Sequence, residues 1–223
     1  MPSHIDHLFI GALRPLPPEG QMTGMYKHPA RGAVAVGPEG FVGDFQGDRR
    51  VHGGAEKAVH HYPAEHYPRL AQRFPHSAGI LQPGTLGENL STHGWTEETV
   101  CIGDLFRVGT ALLQLSQPRS PCWKIDHRLD AEGASLFVAH EGITGWYYRV
   151  REAGTIAPGD AFELVERPNP DLSVAAYWRA TLEHRPDPAR LRAMAAAAGL
   201  APDKAQRLAD RAAWLENNPA ATP

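Results

Sequence analysis

The sequence predicts a mainly β, barrel-like domain over residues 1–167, followed by a small three-helix domain over residues 168–223. Three observations carry that expectation. Short apolar or β-branched runs recur through the first part and end in turn residues. Glycine and proline are frequent, at 22 and 20 of 223 residues, and four Gly-Asp pairs mark turns at Gly43-Asp44, Gly47-Asp48, Gly103-Asp104 and Gly159-Asp160. At Arg167-Pro168-Asn169-Pro170 the composition changes, alanine takes over and glycine nearly vanishes.

In chain order, Gly32 to Val36 reads as a strand, and Lys57 to Tyr62 as another that stops at Pro63. A helix is expected over Ala64 to Phe74, with Pro68 awkward inside it. Leu105 to Val108 and Ala111 to Leu115 flank Gly109-Thr110 as a hairpin. A second helix is expected over Ala131 to His140. Trp146 to Val150 and Ala161 to Val165 flank a Gly/Pro turn at Thr155 to Asp160. Beyond the linker, Ser173 caps a helix over Val174 to Glu183. Asp187-Pro188 opens another that stops at Gly199. The third runs from Pro202 to Leu215 with Leu208, Ala212 and Leu215 on one face.

Composition narrows the function classes. Lys plus Arg is 22 and Asp plus Glu is 25, a net charge of −3, which is no electrostatic footprint for nucleic acid. The apolar run Leu8 to Leu13 is too short and wrongly flanked for a signal peptide, and no stretch reaches the length of a membrane span. Two cysteines, Cys101 and Cys122, make no disulfide framework, so a cytoplasmic location is expected. The 12 histidines invite a zinc reading, but the spacing of His52, His60, His61 and His66 fits no zinc motif. On a strand, His60 and His61 point to opposite faces.

Three segments carry chemistry. In Ser116-Gln117-Pro118-Arg119-Ser120-Pro121-Cys122-Trp123-Lys124, two prolines stiffen the approach to Cys122, while Arg119 and Lys124 place positive charge that favours thiolate. Such a cysteine is a nucleophile, a soft-metal ligand or an inert buried thiol. In His52-Gly53-Gly54-Ala55-Glu56-Lys57, the paired glycines present N–H groups to an anion, Lys57 adds a point charge, and His52 relays a proton; the same residues also suit a plain turn. In Gly84-Thr85-Leu86-Gly87-Glu88-Asn89, the Asn89 amide and Glu88 carboxylate suit a heterocycle edge, or simply a loop entering a strand. Cys101, before a Gly-Asp turn, reads as structural.

These segments, in this order, resemble the MOSC-domain family, and more closely its YiiM-like subgroup of standalone bacterial proteins with a C-terminal helical domain. The resemblance rests on Gly43-Asp44, His52-Gly53-Gly54, Lys57-Ala58-Val59, Gly87-Glu88-Asn89-Leu90, Gly103-Asp104 and the closing Pro118-Arg119-Ser120-Pro121-Cys122. It implies a mostly β, barrel-like fold and a molybdenum cofactor, molybdenum bound to a pterin. It further implies that Cys122 is the protein's ligand to the metal. The implied activity is reduction of N-hydroxylated compounds, including hydroxylamines, amidoximes and N-hydroxylated nucleobases. On that reading His52, Gly53, Gly54, Lys57, Gly87, Glu88, Asn89, Arg119 and Cys122 form the cofactor-binding set. Lys57, Arg119 and the Gly53-Gly54 backbone would address the phosphate, Glu88 and Asn89 the pterin edge, and His52 the proton.

No dinucleotide fingerprint and no iron–sulfur cysteine set is present. The electrons are therefore expected from a separate flavin or iron–sulfur reductase. Two rivals stand beside this reading: a carrier that holds the cofactor or a sulfur group without turnover, and a hydrolase or transferase using Cys122 as a nucleophile.

Overall fold

A computed structural model describes residues 3–17, 20–47 and 53–219. Asp48 of the second Gly-Asp pair and His52 lie outside the described residues. The strands are β1 (Ser3–His4), β2 (His7–Ile10), β3 (Arg14–Leu16), β4 (Gln21–Thr23), β5 (His28–Pro29), β6 (Val34–Gly37), β7 (Gly40–Phe41), β8 (Val59–His61), β9 (Leu90–Ser91), β10 (Leu105–Val108), β11 (Ala111–Pro118), β12 (Trp146–Glu152), β13 (Gly154–Ile156) and β14 (Ala161–Glu166). The helices are α1 (His66–Arg73), α2 (Lys124–Leu129), α3 (Ala134–Glu141), α4 (Val174–Leu182), α5 (Pro188–Ala195) and α6 (Pro202–Asn217).

Nine strands hydrogen-bond into one curled half-barrel sheet, in the order β1-β14-β10-β11-β12-β8-β9-β2-β5. The mainly β, barrel-like expectation with C-terminal helices holds. Gly109-Thr110 joins β10 to β11 as the expected two-residue turn, with Val108 opposite Ala111 and Gly109 at φ +54°. The inner face packs Trp146, Tyr148, Phe106, Phe162 and Leu8, all less than 2% exposed. Full burial of such side chains contributes about 1.5–3 kcal/mol each.

Several elements depart from the sequence reading. Lys57 belongs to a 3-10 turn over Ala55–Lys57, and the strand begins only at Val59. Pro68 sits in the first turn of α1, where N–H groups have no partner within the helix, so it breaks nothing. The expected turn at Thr155 to Asp160 starts later, because Gly154–Ile156 pairs with β6. Helix α2 has no sequence signature, and α3 starts at Ala134 rather than Ala131, after Gly133 at φ +79°. Helix α5 stops at Ala195, short of Gly199.

The tail helices begin where their caps predict. Ser173 Oγ accepts from Ala176 N at 3.0 Å, and Asp187 Oδ1 accepts from Ala189 N at 3.1 Å. Their apolar faces, including Val174, Tyr177, Leu191, Leu208 and Leu215, join one cluster with the sheet. That cover buries β11 on both sides, and Ala201 N donates to Ser116 O at 2.9 Å. A second apolar cluster gathers Tyr62, Tyr67, Leu70 and Leu86 with Ile125, Leu129 and Val138 of α2 and α3. The loop carrying Cys122 is thus pinned between β11, on the first core, and α2, on the second. Among the described residues, no helix is long and apolar enough to cross a membrane.

His61 is fully buried in the first core, with Nδ1 3.1 Å from Tyr148 Oη and Nε2 3.0 Å from Thr92 Oγ1. Burial pushes its pKa down to about 3. Below the ordinary histidine value of about 6.5, the unfolded chain takes a proton that the native imidazole refuses. Stability is therefore present above that pH and falls on acidification. Resistance to urea unfolding is expected to fall from about pH 6.5 downward with a slope of up to about 1.4 kcal/mol per pH unit from this group. His61→Gln should show a shallower slope by that amount; an unchanged slope would remove the assignment.

Candidate functional site

Strand β11 ends at Pro118, which is opposite Trp146. Arg119 N then donates to Gly145 O at 3.0 Å, and the chain turns through Ser120-Pro121 to Cys122. Ile125 N donates to Cys122 O at 3.0 Å as α2 begins. The thiol therefore sits at a strand-to-helix junction and is partly exposed. The end of β11 is also tied to the Lys57 turn. Ser116 Oγ donates to Glu56 O at 2.6 Å, and Gln117 Nε2 donates to the same oxygen at 3.3 Å. Arg149 Nε holds the Glu56 carboxylate at 3.1 and 3.0 Å.

In front of this junction opens a cleft of about 630 Å³, counting its mouth. Of the expected residues, it brings together Lys57, Gly87, Asn89, Arg119 and Cys122. Sheet alternation supplies one wall. Tyr147 lies opposite both His60 and Gln117 in the register, and the His60 and Tyr147 rings stand 5.0 Å apart on the cleft side. Their neighbours His61 and Trp146 face the core, as the opposite-faces expectation for His60 and His61 requires. Lys27, in ion pair with Asp44, supplies another wall, and Lys124 closes the side next to the thiol.

Asn89 works as a joint. Its Oδ1 accepts from His60 N at 3.0 Å, while Nδ2 donates to Phe9 O at 3.1 Å and Asp44 Oδ2 at 2.9 Å. Both amide hydrogens are thereby used within the protein. Glu88 does not line the cleft. It is fully buried, accepts from Tyr67 Oη and Gly84 N, and burial pushes its carboxyl up. Gly53 and Gly54 do not line it either; Gly54 accepts from Lys57 N at 2.9 Å and shapes the turn. Gly87 is at φ +79°, and a Cβ there would lie 3.0 Å from Met25 Cα, so the segment beside the cleft admits only glycine without strain. His52 falls outside the described residues.

The electrostatics favour an anion. Arg119 is 5% exposed; Nη2 reaches Leu86 O at 3.4 Å, its guanidinium also meets the Tyr147 hydroxyl, and Nη1 is buried without a hydrogen-bond partner. His60 Nε2 is likewise buried and unpartnered. Burial and the neighbouring Arg119 hold the His60 imidazole well below its usual range, so it is neutral at neutral pH. Burial pushes the Tyr147 phenol up, so it keeps its proton. Buried polar atoms are normally satisfied. Both residues line the cleft, and a ligand that reached these two atoms would complete their hydrogen bonding.

The donor set also limits which metal species fits. Among the described residues, no group of three His, Cys, Asp or Glu side chains is placed to hold a bare ion. A metal bound here has one thiol, Cys122, and must bring its other ligands with it. A pterin-chelated metal with a phosphate tail meets both conditions, the single soft donor and the cationic, unsatisfied wall. Sequence reasoning missed His60, Lys27 and Tyr147 as lining residues. Alternation around His60 and His61 was the available signal for the first; Lys27 lies in no motif.

The MOSC domain model matches residues 48–163. The Bacillus subtilis protein YflK is 45% identical over 152 residues, covering 68% of this chain and 67% of that protein. Protein YiiM of Escherichia coli is 41% identical over 150 residues, covering 67% of each. The crystal structure of YiiM from Escherichia coli superposes with a TM-score of 0.81 at 31% identity, over 96% of this chain and 94% of that one. A Gibberella moniliformis protein named a reductase is 38% identical over 162 residues, 72% of this chain but only 29% of that protein.

Proposed function

The chain belongs to the MOSC domain family, and on that premise we propose that it is a molybdenum-cofactor-dependent reductase of N-hydroxylated compounds. The substrates are hydroxylamines, amidoximes and N-hydroxylated nucleobases, and the Cys122 thiolate is the protein's ligand to the metal. The observation that carries the reading is one partly exposed thiol opening on a cleft whose buried guanidinium, Arg119, has an unused N–H. When bound, the cofactor supplies two-electron chemistry at a metal already bearing sulfur ligands.

The chain's own residues do the rest. Cys122 Sγ offers the soft donor. Arg119 Nη1 and the ammonium groups of Lys57 and Lys124 offer charge-assisted hydrogen bonds to phosphate oxygens. Neutral His60 offers Nε2 to the pterin's hydrogen-bonding edge. The Lys27–Asp44 pair, fixed by Asn89 and by Gly11 N at 2.9 Å from Asp44 Oδ1, keeps that wall rigid. The overall change, R–NH–OH plus two electrons and two protons giving R–NH₂ and water, breaks only the N–O bond. Tyr147 Oη holds a proton in the cleft, and His52 is the second proposed donor. A separate flavin or iron–sulfur reductase delivers the electrons, and the relative named a reductase supports the redox class.

The test is turnover of a hydroxylamine and a benzamidoxime with chemically reduced viologen as donor. Molybdenum-loaded protein should give one amine or amidine for every two viologen radicals oxidised. Loaded protein that reduces neither is a carrier. Protein that is inactivated by iodoacetamide in a molybdenum-independent assay is a thiol enzyme.

A further inference from the structure

Cys122 belongs to two clefts. Besides the one described, a second opening of about 830 Å³, counting its mouth, lies between the Cys122 loop and the start of α6. The two share Lys57, Ser120, Cys122 and Tyr147 as a common wall. A group held on Cys122 in the first cleft therefore borders the second. The outer wall of the second cleft is the first two turns of α6, with Asp203, Lys204 and Arg207. Opposite lies Gln117, 1% exposed, whose Oε1 is buried without a hydrogen-bond partner.

On the α6 wall, Lys204 and Arg207 stand with one carboxylate, Asp203, which is 3.7 Å from Lys204 Nζ. Lys204 is largely covered, its side chain 14% exposed, and burial with the nearby Arg207 and Lys57 works against its charge. A dianion between these groups would relieve that repulsion, and an arginine–lysine pair matches phosphate geometry and charge. Gln117 Oε1, nearer the shared wall, is an acceptor wanting an N–H. A space of this size suits a nucleotide-sized ligand.

We propose that the second cleft is the substrate site and that Lys204 and Arg207 of α6 select phosphate-bearing substrates, so that N-hydroxylated nucleotides are preferred over the free nucleobases. This rests on the reductase reading for its chemistry, but the phosphate subsite has its own readout. In that arrangement the phosphate lies against α6, the base extends toward Cys122, and Gln117 Oε1 accepts from the substrate's nitrogen. The C-terminal helices thereby become part of the site.

The experiment has a binding arm and a kinetic arm. In calorimetric titration at low salt, AMP should bind the wild-type protein and adenosine should bind at least tenfold more weakly. Lys204→Gln/Arg207→Gln should weaken AMP at least tenfold, whereas Asp203→Asn, which removes the competing carboxylate, should tighten it. Equal binding of AMP and adenosine, no AMP binding, or loss of AMP in Arg119→Met instead of the α6 variant would overturn the proposal. In the kinetic arm, the ratio of kcat/KM for the N-hydroxylated nucleoside monophosphate to that for its free base should exceed ten and fall toward one in the double variant; a ratio near one in the wild type overturns the preference. If no N-hydroxylated compound is reduced at all, the reductase reading fails while the AMP titration still decides the subsite.

Discussion

Cys122→Ser, produced in a host that makes the molybdenum cofactor, will carry at least about tenfold less molybdenum than the wild type, because replacing a direct ligand costs no less than disturbing its surroundings. N-hydroxy reduction will fall with it. A serine hydroxyl is a harder donor and stays protonated where a thiol ionises, so it cannot replace the soft ligand. The fold will persist. Cys122 is partly exposed and belongs to neither apolar cluster, and the loop around it is held by backbone bonds from Arg119 N and Ile125 N. Cys101→Ser is the control. That cysteine is buried beside the Gly103-Asp104 turn, its N–H bonded to Asp104 Oδ2 at 2.8 Å, and it lines neither cleft that contains Cys122. Its thiol is pushed up by burial and by Asp104. Elemental analysis of both variants, with thermal melts, checks the pair; full molybdenum in Cys122→Ser removes the ligand assignment.

Arg119→Met will move occupancy and stability in opposite directions. The guanidinium is buried, makes a long hydrogen bond to the Leu86 carbonyl, meets the Tyr147 hydroxyl and has an orphaned Nη1. Without a bound anion, such a group costs desolvation that its attraction to Glu88 and its contact with the Tyr147 hydroxyl return only in part. Methionine of similar length removes that cost, so the cofactor-free variant should be more stable, by less than the roughly 4 kcal/mol that marks the upper end when a whole buried ion pair gives way to apolar groups. Cofactor retention should drop at least about tenfold, since a charge-assisted hydrogen bond to phosphate is lost. A variant that loses stability and keeps its cofactor would show that Arg119 serves the fold. Strain or unsatisfied polarity kept at a cost to stability is what a functional site leaves behind.

The β part was legible because turns are local. Gly109-Thr110 joins its hairpin through two residues, and Ser173 and Asp187 cap their helices through their own side chains. Helix α2 was not legible. It is six residues long and begins with no side-chain cap, so it forms because Ile125 and Leu129 pack into the second core, which is tertiary information. The site divides in the same way. Cys122 and Arg119 were readable from the stiff loop that carries them, and Lys57, Gly87 and Asn89 also reach the cleft. Glu88 and the Gly53-Gly54 turn stand off it, because Glu88 is drawn to Tyr67 and the glycines to the backbone of the Lys57 turn. Lys27 and Tyr147 arrive through strand register and loop packing over long sequence separations. No local pattern marks them.

The account rests on Cys122 and the cleft beside it holding a molybdenum–pterin group. The most direct test is molybdenum and pterin per chain, measured on wild-type protein from a host in which a second molybdenum enzyme is verified as loaded. About one molybdenum and one pterin per chain is the result expected of a single thiolate site. Neither metal nor pterin, with the companion enzyme fully loaded, would contradict the account and leave Cys122 to be explained as a nucleophile.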